Sequence, residues 1–160
     1  MSLIGVTGHV HLSEPTEGLI FRAVTAALRE CADSPPHGIT CLALGADQIF
    51  ARAIVALGGT FEAVLPSHDY REQVVAAQDR DSFDALLAQA SKVLVMPAHC
   101  SGRPAYVAAS KYMLSRSAML FAIWDGQPTR SVGDTAHVVS LAEASGLPVK
   151  VLWPAGAGRR

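Results

Sequence analysis

Short apolar runs alternate along the chain with stretches whose apolar residues recur every three to four positions. The runs at 3–6, 39–43, 60–65, 93–96, 119–124 and 149–152 are continuous rather than alternating in polarity. That is the pattern of strands buried on both faces of a parallel sheet. Between them, Leu19, Ile20, Ala23, Val24, Ala27, Leu28 and Cys31 fall on one helical stripe, with Thr16 as the expected N-cap. Ile49, Phe50, Ala53, Ile54 and Leu57 make a second stripe that Gly58-Gly59 ends. Phe83, Leu86, Leu87 and Ala90 make a third, residues 105–116 a fourth, and residues 136–145 a fifth that Asp134 or Thr135 can cap. Residues 70–78 fit a further helix or an extended loop.

Strand and helix in alternation predict a single-domain α/β fold: a Rossmann-like, doubly wound, mostly parallel sheet of about six strands flanked by helices. The domain is expected to span residues 1–154, with 155–160 as a Gly-rich flexible tail. The 160 residues suffice for one substantial core, and 50% apolar against 17% charged residues excludes disorder.

The connections that enter the strands are plain, whereas those that leave them hold the special chemistry. Ligands of open α/β sheets bind outside the carboxyl ends of the strands. After the first strand come Thr7, Gly8 and His9, a hydroxyl, a close-approach glycine and an imidazole. After the second, Gly45 permits a tight turn and Asp47 stands in the first helical turn, as helix-start electrostatics or as a ligand contact. After the fifth, Asp125 and Gly126 open a loop that carries Arg130 and closes on Gly133, Asp134 and Thr135. A glycine-bearing loop before a helix N-terminus is suited to phosphate, and Arg130 can clamp an anion with its planar fork. Tyr70 and Tyr106 stand where either could stack on a base or pack over a strand end. Any catalysis would fall to Asp125, Asp134 or His137.

Three cysteines, Cys31, Cys41 and Cys100, have no metal-ligand spacing, and His9 and His11 stand two apart without further ligands, so no metal and no resident cofactor is expected. The formal net charge of −1 gives no electrostatic warrant for a nucleic-acid partner. No run reaches bilayer length and the amino-terminal residues lack a secretory pattern, so a cytoplasmic protein without membrane partners is expected.

The order Val6-Thr7-Gly8-His9, Leu44-Gly45-Ala46-Asp47-Gln48, Val64-Leu65-Pro66, Trp124-Asp125-Gly126 and Gly133-Asp134-Thr135 resembles the SLOG superfamily, which includes DprA proteins, LOG phosphoribohydrolases and YpsA-like proteins. The resemblance implies a Rossmann-like domain, a homodimer and a nucleotide or nucleotide-derived ligand at the strand ends. The function expected is binding of such a phosphorylated ligand, with a sensing role open. A LOG-like hydrolase of nucleoside 5′-monophosphates, or a related transferase, is the alternative. A protein-interaction module with a vestigial pocket is the other. Val138 stands where the LOG pattern has glutamate, and a valine is neither nucleophile nor base.

Overall fold

The structure, a computed structural model, describes residues 2–128 and 134–159. Six strands form one sheet: β1 (Ile4–Gly8), β2 (His37–Thr40), β3 (Thr60–Leu65), β4 (Lys92–Val95), β5 (Met119–Ile123) and β6 (Val149–Val151). Their order is β4-β3-β2-β1-β5-β6 and every pairing is parallel. The helices are α1 (Glu14–Cys31), α2 (Ala46–Ala56), α3 (Tyr70–Gln73), α4 (Arg80–Leu87), α5 (Arg103–Arg116) and α6 (Thr135–Ala144). The stretch 70–78, open between helix and loop in the sequence, is the short α3 followed by a 3-10 turn at Ala77–Asp79.

Alternation along each strand divides the core between the two faces of the sheet. Ile4 and Val6 of β1, Phe61, Ala63 and Leu65 of β3, and Phe121 and Ile123 of β5 pack with α1, α2 and α4. Leu3, Ile39, Val64 and Leu120 point the other way, against Ala109 and Met113 of α5 and Val138 and Ala142 of α6. The chain walks outward from β1 to β4 with its helices on the first face. It then returns to the far side of β1 for β5 and β6 with its helices on the second. The strand order therefore reverses between β1 and β5, and the crevice at their carboxyl ends is the topological switch point.

Local details depart from the sequence pattern for physical reasons. Ser13, not Thr16, caps α1: its Oγ accepts the Thr16 N–H at 3.4 Å. Thr16 lies one turn inside the helix, and its hydroxyl oxygen accepts from Ser13 Oγ and from Gly158 N–H, each at 2.7 Å. β1 runs on through Thr7 and Gly8 because both pair with β5, opposite Ala122 and Ile123. β2 stops at Thr40, since Leu42 turns the chain with a φ of 55°. β4 lies at one edge of the sheet, so Val93 and Val95 are exposed rather than covered on both faces. No helix among the described residues is long and apolar enough to cross a membrane.

Candidate functional site

At the switch point β1 and β5 deliver His9 and Asp125 to the same place. Residue 9 follows directly on β1, whose pairing with β5 sets Gly8 opposite Ile123. The His9 N–H continues the ladder by donating to Ile123 O at 3.2 Å. The imidazole Nε2 then lies 3.1 Å from the Asp125 amide and 3.2 Å from Asp125 Oδ1. A neutral ring accepts the amide proton in one tautomer and donates to the carboxylate in the other. Burial, then the Arg159 charge, holds the His9 pKa below its ordinary value although Asp125 pulls the other way. The Trp153 ring meets the imidazole edge-on with centroids 5.3 Å apart, which fixes the plane of the imidazole.

Asp125 is held from several sides. Burial opposes its ionisation, but the Gln127 N–H, donating to Oδ1 at 3.1 Å, together with His9 and Arg159, keeps the carboxyl below its ordinary pKa. Arg159 Nη1 lies 3.4 Å from Asp125 Oδ2. This arginine sits in the segment read from the sequence as a tail. Residues 157–159 are tied back onto the start of α1. Gly158 N–H donates to Thr16 Oγ1, Ser13 N–H donates to Gly158 O at 3.4 Å, and Leu12 and Arg159 form an antiparallel bridge.

These groups border a cleft of about 790 Å³, within the range of small-molecule sites. Of the residues singled out in the sequence, Gly8, His9, Asp125, Asp134 and Thr135 line it, as do Tyr70 and Tyr106. Thr7, Gly45, Asp47, Gly126 and His137 are not on its lining. Arg130 and Gly133 lie outside the described residues. Gln48, part of the motif that opens α2, also borders the cleft, and sequence reasoning missed Arg159 and the wall formed by Val74, Val75 and Ala76.

Two glycines work through close packing. A Cβ on Gly8 would stand 2.4 Å from Ala46 Cβ and 2.8 Å from Ile123 O, so the bare backbone lets the start of α2 approach β1 and β5. Gly45, with φ 85°, would place a Cβ 2.4 Å from Val10 O and 2.6 Å from His9 O. Only a residue without a side chain fits so tight a turn at positive φ. The Ala46 N–H bonds His9 O at 3.1 Å, so this packing supports the His9 backbone.

Asp47 stands next to Gln48 of the lining but is not on the lining itself. It is buried, and its Oδ2 accepts the Ala43 N–H at 3.2 Å while the Thr40 side chain also hydrogen-bonds it. Burial outweighs those bonds and pushes its pKa up to about 7. Its first-turn position thus serves the β2–α2 connection, whose Ala43 and Leu44 line the cleft.

Two helix N-termini reach the cleft and differ in kind. At α6 the Asp134 carboxylate accepts the His137 N–H at 2.9 Å, so the chain's own anion already occupies part of that terminus. At α5 Gly102 holds the cap position with no side-chain hydrogen bond, and Arg103 begins the first turn. Ser101, Gly102 and Arg103 all line the cleft. Val138 is buried against the sheet with Ala142 and Leu120, so α6 turns this position into the core.

No protein-family model matches the chain, and no curated protein matches it in sequence. Solved structures do share its fold. DNA processing protein A (DprA) from Streptococcus pneumoniae superposes with a TM-score of 0.71 at 14% identity, over 98% of this chain and 52% of that protein. DprA from Helicobacter pylori, studied for its single-stranded DNA binding mode, gives 0.69 at 13% identity, over 99% and 68%. The molybdenum cofactor binding protein from Rippkaea orientalis gives 0.63 at 17% identity, over 96% and 77%. The chain thus shares the Rossmann-like α/β fold of these proteins and spans about half the length of the Streptococcus pneumoniae protein. The expectation that nucleic acid has no place here is corrected. The same fold serves single-stranded DNA in the Helicobacter pylori protein, and a net charge summed over the chain says nothing about charge collected at one cleft.

Proposed function

We propose that the cleft binds a nucleotide or a phosphorylated nucleotide derivative. The observation that carries the proposal is the meeting of His9 and Asp125 at the β1–β5 switch point, on the lining of a cleft of suitable size. The cleft offers chemically distinct regions. After β2 and β3 it is lined by Leu44, Pro66, Val74 and Val75 with Tyr70, which suits the faces of a base. Beside β1 and β5 it offers a carboxylate that is ionised at neutral pH and can accept ribose hydroxyls, together with Arg159. Arg103, at a helix start without a side-chain cap, favours negative charge on the α5 side. The correct orientation of the ligand would follow from these preferences rather than from a glycine-rich dinucleotide motif.

Calorimetric titration with nucleosides, their mono-, di- and cyclic phosphates, and a short single-stranded oligonucleotide tests the proposal. Saturable binding of at least one mononucleotide is expected, weakened about tenfold or more by Asp125→Asn, the loss of one charged hydrogen-bonding partner. Silence across the mononucleotides at millimolar ligand would refute it. Chromatography of the same mixtures for released base reads whether the ligand is turned over.

A further inference from the structure

We infer that Arg159, presented by the segment that follows β6, is the residue by which the cleft selects a phosphorylated ligand over its unphosphorylated counterpart; this rests on the nucleotide reading above. The described residues that line the cleft include two arginines, Arg103 and Arg159, and no lysine. Arg103 is exposed on the α5 side, whereas Arg159 stands beside the His9–Asp125 pair at the switch point.

A cation carried on a loose segment would surrender conformational entropy each time it met a ligand. Arg159 is relieved of much of that cost because its backbone is already fastened. Leu152 N–H donates to Ala122 O at 2.8 Å, which carries the chain just past β6 along β5. Trp153 then packs on His9, and the Ala157 N–H closes a turn onto Pro154 O at 3.0 Å. Gly158 is bonded on both sides, to Thr16 Oγ1 and to the Ser13 amide. Thr16 is only 1% exposed, so its hydroxyl is a fixed, dry anchor one residue away from the arginine.

The side chain is poised rather than buried. It is 49% exposed, against 17% for Asp125, and reaches that carboxylate with one Nη at 3.4 Å. A guanidinium has five N–H donors in a planar fork, and the contact with Asp125 engages one of them. The contact does two things at once. It orients the fork toward the cleft, and it offsets a carboxylate that would otherwise repel an incoming phosphate. Burial and then Arg159 disfavour the charged form of the His9 ring, which leaves the arginine as the permanent positive charge beside the pair.

The test compares matched pairs, adenosine with adenosine 5′-monophosphate and guanosine with guanosine 5′-monophosphate, by calorimetry at fixed ionic strength. The wild-type protein, Arg159→Ala, Arg159→Lys and Thr16→Val are titrated, and circular dichroism verifies that each is folded. Wild type is expected to prefer a monophosphate over its nucleoside by about tenfold or more, as a charge-assisted bidentate contact allows. Arg159→Ala should erase most of that preference, lowering monophosphate affinity much more than nucleoside affinity. Arg159→Lys should restore part of it. Thr16→Val, which removes the acceptor of the Gly158 N–H without touching the cleft, should lower the preference in the same direction. If wild type binds a monophosphate but Arg159→Ala keeps the same ratio, the role of Arg159 is overturned and the nucleotide reading stands. If wild type binds no member of either pair, the selection assigned to Arg159 falls, and silence across the wider mononucleotide panel as well removes the nucleotide reading.

Discussion

His9 Nε2 lies 3.2 Å from Asp125 Oδ1 although 116 residues separate the two in the chain. The meeting is produced by β1 and β5 lying side by side, each ending just before one of the pair. Several neighbours are arranged around that contact. Trp153 fixes the ring, Gln127 and Arg159 hold the carboxylate, and the Gly45 turn supports the His9 backbone.

Replacing His9 with glutamine leaves a polar group of similar reach but removes the titratable ring. Binding of the preferred mononucleotide should fall about tenfold, as Asp125 loses a positioned partner. In the wild-type protein the ring protons of His9 should titrate, by NMR, with a midpoint below 6.5. Because the folded pKa is depressed, the neutral ring's contribution to stability is full above pH 6.5 and is lost as pH falls through the folded value. A midpoint above 6.5 would remove the electrostatic account of this site.

Asp47 has the opposite sign. Its folded pKa, pushed up to about 7 from 3.8, means that the native protein holds a proton the unfolded chain has released. Stability from this group is full below pH 3.8 and is lost as pH rises through about 7. Thermal melts of wild type and Asp47→Asn between pH 4 and pH 8 should show the variant gaining on wild type as pH rises. A melting difference that stays constant across the series would contradict the burial argument.

Gly8 and Gly18 should respond in opposite directions to alanine. At Gly8 the new methyl meets Ala46 and the Ile123 carbonyl well inside contact distance, and forced repacking costs about 2–3 kcal/mol. Gly18 is exposed within α1, with its nearest neighbour, an Arg22 nitrogen, 3.8 Å from the added Cβ, so alanine should stabilise by about 0.5–1 kcal/mol. Urea denaturation of the two variants checks both signs.

Phe50 is fully buried on α2, and its ring meets Phe121 of β5 edge-on at 6.0 Å. Phe50→Ala should cost about 3–5 kcal/mol in chemical denaturation, since the cavity would lie where α2 is clamped on the sheet. A loss under 1 kcal/mol would mean that this face of the core collapses freely into the gap.

The central strands were legible because both of their faces are covered, so an unbroken apolar run such as Met119-Leu-Phe-Ala-Ile123 has one interpretation. The same pattern misled at β4, where Val93 and Val95 look identical in sequence but stand at an edge. The rim was legible as a rim, because polar residues and glycines concentrate after the strands. Which rim residues touch was not, since register between β1 and β5 is a tertiary property. Asp47 read equally well as ligand contact or helix electrostatics, and its burial off the cleft lining is a tertiary property that its place in the first turn of α2 does not show. Arg159 escaped notice because Ala155-Gly-Ala-Gly158 looks unstructured by composition. Its anchors are a backbone amide and the hydroxyl of Thr16, 142 residues earlier. Trp153-Pro154 directly after a strand was the one clue that the segment had something to pack on.

The placement of β1 at the centre of the sheet, with β5 as its late-arriving neighbour, also has a consequence for synthesis. During synthesis His9 emerges from the ribosome 116 residues ahead of Asp125, and Trp153 and Arg159 follow later still. A chain interrupted before β5 therefore lacks the His9–Asp125 pair, and with it the contact on which the proposed ligand site rests.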